Sequence, residues 1–465
     1  MKFADKYTKL FQYLLPAPFT IAVVLSFITF LIAFFFTKEP ELSNTEYFVE
    51  LLGYWENGLW NNGLMVFAMQ MMLMLVLGHV LALTPFVEKC INQITRFANN
   101  TANAALLVSF FTILVAFFNW GLGLIFGAIL ARKIAEHALR NNIKINYPLI
   151  GAAGYVGLMV WHGGISGSSL TKLAENGHLN QMMNGILNDS QLSSLPNQID
   201  FSQTVFSGIN IYSSICILII IPLAYYLLGR DKSHDAIPKL KININHSELV
   251  NSKFEGAERL DHSKIPAFVF GLTIISYAIY KIFIHPNPSN LGFITPNYIN
   301  FLLLGFGVTL HQNFIQFLKA INQAISGAAG ILIQFPLYFG IMGIMKSSGL
   351  VQDLSGFFVS ISNETTFPIY TMISAGIVNV FVPSGGGQWA VQGPIIVQAA
   401  EVLGVSLPKS ILALAYGDQL TNMLQPFWAL PLLGITGLKA KEILPYTLFI
   451  MLIGSLIYLS ALLLF

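Results

Sequence analysis

Charge is scarce in this chain, and its scarcity excludes most function classes. Only 10% of the 465 residues are Asp, Glu, Lys or Arg, against roughly 25% in a soluble domain. Fifty-five per cent are hydrophobic and the mean hydropathy is +0.66, so a soluble globular enzyme of this length is excluded. The formal net charge is +2 and there is no basic tract, which argues against a nucleic-acid partner. The two cysteines, Cys90 and Cys216, lie in or beside apolar segments and are too few for a disulfide framework or a thiolate metal site. No Walker loop, His-Glu-x-x-His or metal-spaced Cys/His cluster occurs. The stretch Gly164-Ile165-Ser166-Gly167-Ser168 lacks the last glycine of a nucleophile elbow. No polar segment is large enough for a nucleotide-binding part, so transport by such a chain draws on an ion gradient or on the substrate's own gradient. No cofactor is expected; H⁺ and Na⁺ both stay open as coupling ions.

What the chain does have is apolar runs of about 20 residues, the length that crosses a bilayer as a helix. The first, from Pro16 to Phe36, follows Lys2, Lys6 and Lys9. It is long for a signal peptide and has no small-residue cleavage site, so it reads as a retained span with a cytoplasmic N-terminus. Glu39, Glu41, Glu46, Glu50 and Glu56 follow against Lys38 alone and place the next loop outside. The Met-rich run Met69–Met74 reads as packing material, and His79 in the same span is a weak candidate for chemistry.

Two later runs are interrupted at matching places. The run from Thr101 to Ala131 breaks at Asn119-Trp120-Gly121-Leu122-Gly123, and the run from Pro368 to Ala400 breaks between Asn379 and Trp389. Asn119 and Asn379 lie 260 residues apart, and the same offset pairs Gly127 with Gly387, Pro148 with Pro408, Ala153 with Ala413 and Gly157 with Gly417. Both flanks of the first run are basic (Lys89 and Arg96 before it; Arg132, Lys133, Arg140 and Lys144 after it), whereas Asp353, Glu364 and Glu401 flank the second. By the charge rule the first turns back to the inside and the second to the outside. The expected fold is an all-α polytopic membrane protein with about nine transmembrane helices and two opposed re-entrant hairpins in an inverted-topology repeat. Residues 1–229 form the N-terminal half, with the first hairpin near 101–131. Residues 230–264, the polar stretch with seven Lys and Arg, form a cytoplasmic linker, and 265–465 form the C-terminal half, with the second hairpin near 368–400. Lys346, placed outside, is the residue that fits this topology least well.

Unwound backbone at membrane depth is tolerated only inside protein or beside a wet cavity, and paired broken segments mark substrate sites in secondary transporters. In the second break Ser384, Gly385, Gly386, Gly387 and Gln388 offer close backbone approach, positive φ and N–H donors at a helix start near Gln388, with Trp389 as an apolar wall. Such a turn suits a carboxylate; a hairpin turn packed on a neighbour is the competing reading. Asn119, Trp120, Gly121 and Gly123 form the partner tip, where Asn119 binds a ligand or caps freed backbone. The next span breaks between Gly417 and Pro426 and contains Asp418, Thr421 and Asn422, a carboxylate and oxygens fit for a coupling proton or Na⁺. Its counterpart runs from Trp161 to Ser169, and the offset sets His162 opposite Asn422, with Ser166 nearby. His162 either titrates near neutral pH or is a structural hydrogen-bond donor.

The segments Asn379–Pro394 and Tyr416–Trp428, with the N-terminal residues 11–19 and the stretch from Trp161 to Ser168, closely resemble the bacterial short-chain fatty acid transporter family, the acetoacetate/butyrate type, over nearly the whole length. The resemblance implies uptake of small monocarboxylates across the inner membrane and, at the level of the larger ion-transporter group, a dimeric elevator carrier with opposed hairpins. Asn379, Ser384 to Trp389, and Trp120 and Trp161 are then expected near the substrate, and no membrane Arg is required. A carrier for dicarboxylates or aminobenzoyl compounds is the nearest rival; a passive anion channel and an intramembrane enzyme built on His162 and a serine are more distant ones.

Overall fold

The computed structural model describes residues 16–38, 40–184, 187, 189–240, 256–284 and 295–465; Lys2, Lys6, Lys9, Glu39 and part of the linker, 241–255, lie outside the described residues. Among the described residues the chain is helical throughout and has no strand longer than an isolated bridge. The first half contains α1 (Pro18–Phe36), α2 (Asn44–Leu59), α3 (Asn62–Ala82), α4 (Pro85–Thr95), α5 (Thr101–Phe118), α6 (Trp120–Arg140), α7 (Tyr147–Ala153), the short helices α8 (Ser168–Leu173), α9 (His178–Met183) and α10 (Asp189–Ser194), and α11 (Gly208–Leu228). The second contains α12 (Glu258–His262), α13 (Lys264–Ile284), α14 (Pro296–His311), α15 (Phe314–Ala324), α16 (Ala329–Ser347), α17 (Leu350–Ser360), α18 (Phe367–Phe381), α19 (Gly385–Leu403), α20 (Leu407–Thr421), α21 (Pro426–Thr436) and α22 (Ala440–Leu464). Seven segments among the described residues are long and apolar enough to cross a membrane, and shorter apolar helices at 147–159, 367–381 and 426–436 accompany them.

The outermost helices carry their apolar side chains outward. In α1, Phe27 is 67% and Phe35 73% exposed, and Phe283 of α13 is 79% exposed. Surfaces this apolar and this continuous belong against lipid rather than water. The Glu-rich loop expected after α1 is instead a helix. Ser43 and Glu46 close a reciprocal capping box at the start of α2, a signal present in the sequence as Ser-x-x-Glu. α2 then crosses α16 closely, because a Cβ on Gly58 would stand 2.4 Å from the Phe339 carbonyl oxygen and 2.9 Å from Gly343 Cα.

At Asn119 the chain turns back on itself. Its backbone is extended (φ −149°, ψ 123°) and its Oδ1 accepts from Leu122 N at 2.9 Å, so one residue ends α5 and caps α6. The two arms then run antiparallel in close contact: a Cβ on Gly123 would lie 2.5 Å from Ala116 Cα, and one on Gly127 would lie 2.7 Å from Thr112 Oγ1. Small residues are what permit such an approach. The second turn is longer. α18 ends at Phe381, Val382 and Pro383 continue without helix, and Ser384 Oγ accepts from Gly387 N at 3.1 Å to start α19. This helix begins at Gly385, earlier than the expected start near Gln388. Gly385, Gly386 and Gly387 are helical and none has a positive φ, so the expectation that the turn exploits left-handed glycine backbone is corrected. At Gly385 the missing side chain serves close packing instead: a Cβ there would meet Trp161 Cη2 at 2.6 Å and His162 Cε1 at 3.0 Å.

Contacts recur at the offset seen in the sequence. A Cβ on Gly157 would meet Ala116 Cβ at 2.7 Å and Thr112 O at 3.0 Å; one on Gly417 would meet Gly376 N at 2.9 Å and Met372 O at 2.0 Å. Each of these three pairs of equivalent positions, 157/417, 112/372 and 116/376, differs by 260.

Candidate functional site

Both hairpin tips and both broken spans converge on one cavity of about 390 Å³. Phe118 and Trp120 reach it from the first tip, Ser384, Gly385 and Gly386 from the second, Trp161, Ile165, Ser166 and Ser168 from the first broken span, and Trp428 from the second. Phe67 of α3 and Thr171, Lys172 and Glu175 from α8 and its end complete most of the wall. Charge in the lining is nearly balanced, because Lys172 Nζ bonds both Glu175 oxygens, at 2.9 and 3.0 Å.

The donors at this cavity follow from the helix ends. Four N–H groups at an α-helix start have no intrahelical acceptor. At α19 the Ser384 hydroxyl takes Gly387 N and the Ser384 carbonyl takes Gln388 N at 2.7 Å, while Gly385 and Gly386, whose N–H groups have no intrahelical acceptor, line the cavity. At α6, Trp120 N donates to Ser166 Oγ at 3.0 Å. Ser166 therefore accepts at its oxygen and keeps its own hydroxyl proton to donate. Gly121 faces Met74 and Gly123 faces Ala116; both shape the first tip without lining the cavity. Gly387 and Gln388 line a separate cavity of about 350 Å³ on the other side of the second tip, which Lys346 also borders. Trp389 is buried, and its indole N–H donates to His178 Nε2 at 3.0 Å. His178 titrates below the usual imidazole range because burial disfavours its charged form, with Lys172 acting in the same direction and Glu175 opposing.

Behind the tips lies a buried polar cluster. Asn379 Nδ2 reaches the Asp418 carbonyl at 2.7 Å, Asn422 Oδ1 at 2.8 Å and Thr421 Oγ1 at 3.0 Å, while Gln425 Nε2 donates to the Asn379 carbonyl. Both amides give their N–H to a main-chain carbonyl, which settles which side of each amide is oxygen. Asn379 Oδ1 and Gln425 Oε1 then remain without donors, as do both oxygens of Asp418, a residue only 1% exposed. His162 Nδ1 stands 3.0 Å from Asp418 Oδ2, off the line of a good hydrogen bond. Because Ser169 N donates to His162 Nε2 at 3.2 Å, Nε2 is the bare nitrogen and the proton of the neutral ring sits on Nδ1, facing the carboxylate. The 260-residue offset makes His162 the equivalent of Asn422; in space His162 stands beside Asp418.

The irregular backbone of the first broken span is satisfied by residues that were not singled out. Gln419 Oε1 accepts from His162 N at 3.0 Å and Gly163 N at 2.9 Å, and Asn210 Nδ2 donates to Gly163 O at 2.8 Å. Tyr155 OH does the same for the second break, within 2.8 Å of Asn422 O and 2.9 Å of Gln425 O. Gln419 and Asn210 had a visible signal, an amide inside an apolar span. Trp428 and Phe67 had none, since an aromatic residue in a membrane segment is ordinary.

Breaks in apolar spans that meet at a cavity fit the class of membrane transporters. The pattern of the short chain fatty acid transporter family matches residues 1–465. Relatives named for short-chain fatty acid transport are 35% identical over 457 residues in Escherichia coli K12, covering 97% of this chain and 96% of that one, and 36% identical over 440 residues in Haemophilus influenzae, covering 93% and 92%. The chain belongs to the short chain fatty acid transporter family and is not an enzyme. Among solved structures it is similar to the YdaH transporter of Alcanivorax borkumensis (14% identity, 95% of this chain and 97% of that one, TM-score 0.44) and to MtrF of Neisseria gonorrhoeae (13% identity, 99% and 96%, TM-score 0.40).

Proposed function

We propose that this chain carries short-chain fatty acid anions such as acetoacetate and butyrate across the bacterial inner membrane, coupled to a cation, by elevator-type alternating access. The observation that carries the reading is the cavity of about 390 Å³ bounded by both tips, with free Gly385 and Gly386 N–H groups and the Ser166 hydroxyl as anion donors. A carboxylate at the start of α19 meets those N–H groups and the positive end of the helix dipole. The short tail faces aromatic wall. The one cation among the described lining residues, Lys172, is already offset by Glu175, which favours a singly charged anion over a dicarboxylate.

Asp418, with Thr421 and Asn422 beside it and the Asn379 and Gln425 oxygens near, is the coupling site in this reading, for H⁺ or Na⁺. Buried acceptor oxygens without donors favour a cation or a proton. The hairpins enter from opposite faces as an inverted repeat. Support comes from the recurring glycine contacts and from α18, whose 15 residues span about 22 Å of a core about 30 Å thick. The hairpins and broken spans move as a unit against a scaffold that includes α1, α13 and α14. The N-terminus is cytoplasmic, and a homodimer is the assembly expected for such a scaffold.

The test is uptake of labelled butyrate by purified protein in liposomes, with competition by acetoacetate, a dicarboxylate and an aminobenzoyl compound. Saturable uptake blocked by short monocarboxylates alone is the expected result. Uptake blocked best by a dicarboxylate or an aminobenzoyl compound, or conductance that does not saturate, overturns it.

A further inference from the structure

Lys346 fits the expected topology least well, because the charge rule disfavours a lysine at an outer loop. In the structure it lies in the last turn of α16 and borders the second cavity, of about 350 Å³, a volume in the range of small-molecule sites. The second hairpin tip divides this cavity from the one between the tips. Gly385 and Gly386 line the first, Gly387 and Gln388 the second, and four helical residues cover only about 6 Å, so the partition is thin. The two linings differ in charge. Lys172 in the first is taken by Glu175. Lys346 has no ion pair or hydrogen bond among the described residues, and no Asp or Glu is among the described residues lining its cavity. Asn57 of α2, Asn61 before α3 and Ser347 stand around it, and all four residues are exposed. Asn61 Oδ1 accepts from Leu64 N at 3.1 Å, which leaves its Nδ2 to donate. Glu50 accepts from the Tyr54 hydroxyl but does not line the cavity. A lysine in the last turn of a helix also complements the helix dipole, but that role needs neither a cavity, nor donors around it, nor a neighbouring tip.

We propose that this second cavity is a further binding site for a small carboxylate, with Lys346 as its cation and Asn57, Asn61 and Ser347 as donors, where substrate waits before it reaches the second tip. The role in uptake rests on the carrier reading above; the anion site does not. One cation among neutral donors suits a single carboxylate. Its field reaches over a Debye length of about 8 Å and raises the local concentration of anions. On the outer side of the membrane this gives Lys346 a use that the charge rule alone denies it. An ion pair between exposed groups is weak, which suits a waiting site, because an anion held tightly there would not move on.

The experiment acylates the lysines of the purified protein in detergent with a succinimidyl ester and follows each by peptide mass spectrometry, in butyrate and in chloride of equal ionic strength. Only the neutral amine reacts, and a carboxylate against Lys346 favours the ammonium form. Butyrate is expected to slow the reaction of Lys346 several-fold, with Lys439 and Lys441, which line neither cavity, unchanged. Asn57→Leu removes a donor from the second cavity and alters no residue lining the first. It should raise the butyrate concentration for half-protection about threefold, the worth of one exposed polar contact. In liposomes Lys346→Gln should raise the KM for butyrate several-fold with kcat kept, and Lys346→Arg should keep the KM of the parent. Both positions are exposed, so the variants should fold. No protection of Lys346, a half-protection concentration unmoved by Asn57→Leu, or the parent's KM in Lys346→Gln overturns the proposal. Protection of Lys346 without any butyrate uptake by the parent would leave the anion site standing and strike the carrier reading instead.

Discussion

Replacing Asp418 by Asn separates folding from coupling, because the two effects are expected to differ in sign. The side chain is almost fully enclosed, neither oxygen has a well-aligned donor, and His162 Nδ1 stands 3.0 Å from Oδ2. An ionised carboxylate enclosed here would cost more to desolvate than a neutral amide of the same shape, which costs about 1–3 kcal/mol. The amide oxygen can keep the place opposite Nδ1, so Asp418→Asn should melt at the same temperature as the parent or higher. Coupling should fail all the same. With one cation per anion, a tenfold cation gradient supplies about 1.4 kcal/mol and holds a tenfold accumulation of substrate; the variant should fall to a ratio of about one while still exchanging labelled for unlabelled butyrate. The assay is accumulation and counterflow in liposomes under imposed H⁺ and Na⁺ gradients, beside a thermal melt of the same protein. Full accumulation in the variant refutes the coupling role. A clear drop in melting temperature refutes the account of the buried charge.

Other expectations follow from packing and hydrogen bonding. Gly385→Ala sets a methyl 2.6 Å from Trp161 and should cost about 1–3 kcal/mol and most uptake, whereas Gly386→Ala, whose nearest neighbour is Ser168 Cβ at 4.0 Å, should fold normally; equal melts for the two would contradict the close approach. Gly417→Ala drives a methyl to 2.0 Å from the Met372 carbonyl oxygen, a backbone atom with little room to move, and should cost at least as much, read by denaturation in detergent. His178 accepts from Trp389 only while its Nε2 is unprotonated, and its folded pKa lies below the ordinary 6.5. The contribution of this contact is therefore complete above about pH 6.5 and is lost as pH falls through the lower folded value. His178→Gln, which accepts without titrating, should show a flatter melting profile between pH 7.5 and 5, and superimposable profiles would remove His178 from that dependence.

Some of this protein is legible one residue at a time. Helix length and polarity, the halt imposed by Asn119, and the breaks at Pro383 and Pro426 are local consequences of backbone chemistry, and they appear in the structure near where the sequence puts them. The 260-residue offset was visible too, and glycine stands at close crossings at both of its ends, Gly157 and Gly417. Partnership across the fold was not visible. The offset equated His162 with Asn422 but named no spatial partner for it; only the packing of the two broken spans sets His162 beside Asp418. Trp389, next to the glycines in sequence, rotates away to His178, while Trp428 and Phe67, distant in sequence, close the cavity. A helix turns about 100° per residue, so neighbours in the chain face different surroundings. Which of them meet a substrate is decided by the long-range packing of helices, and no local pattern encodes that.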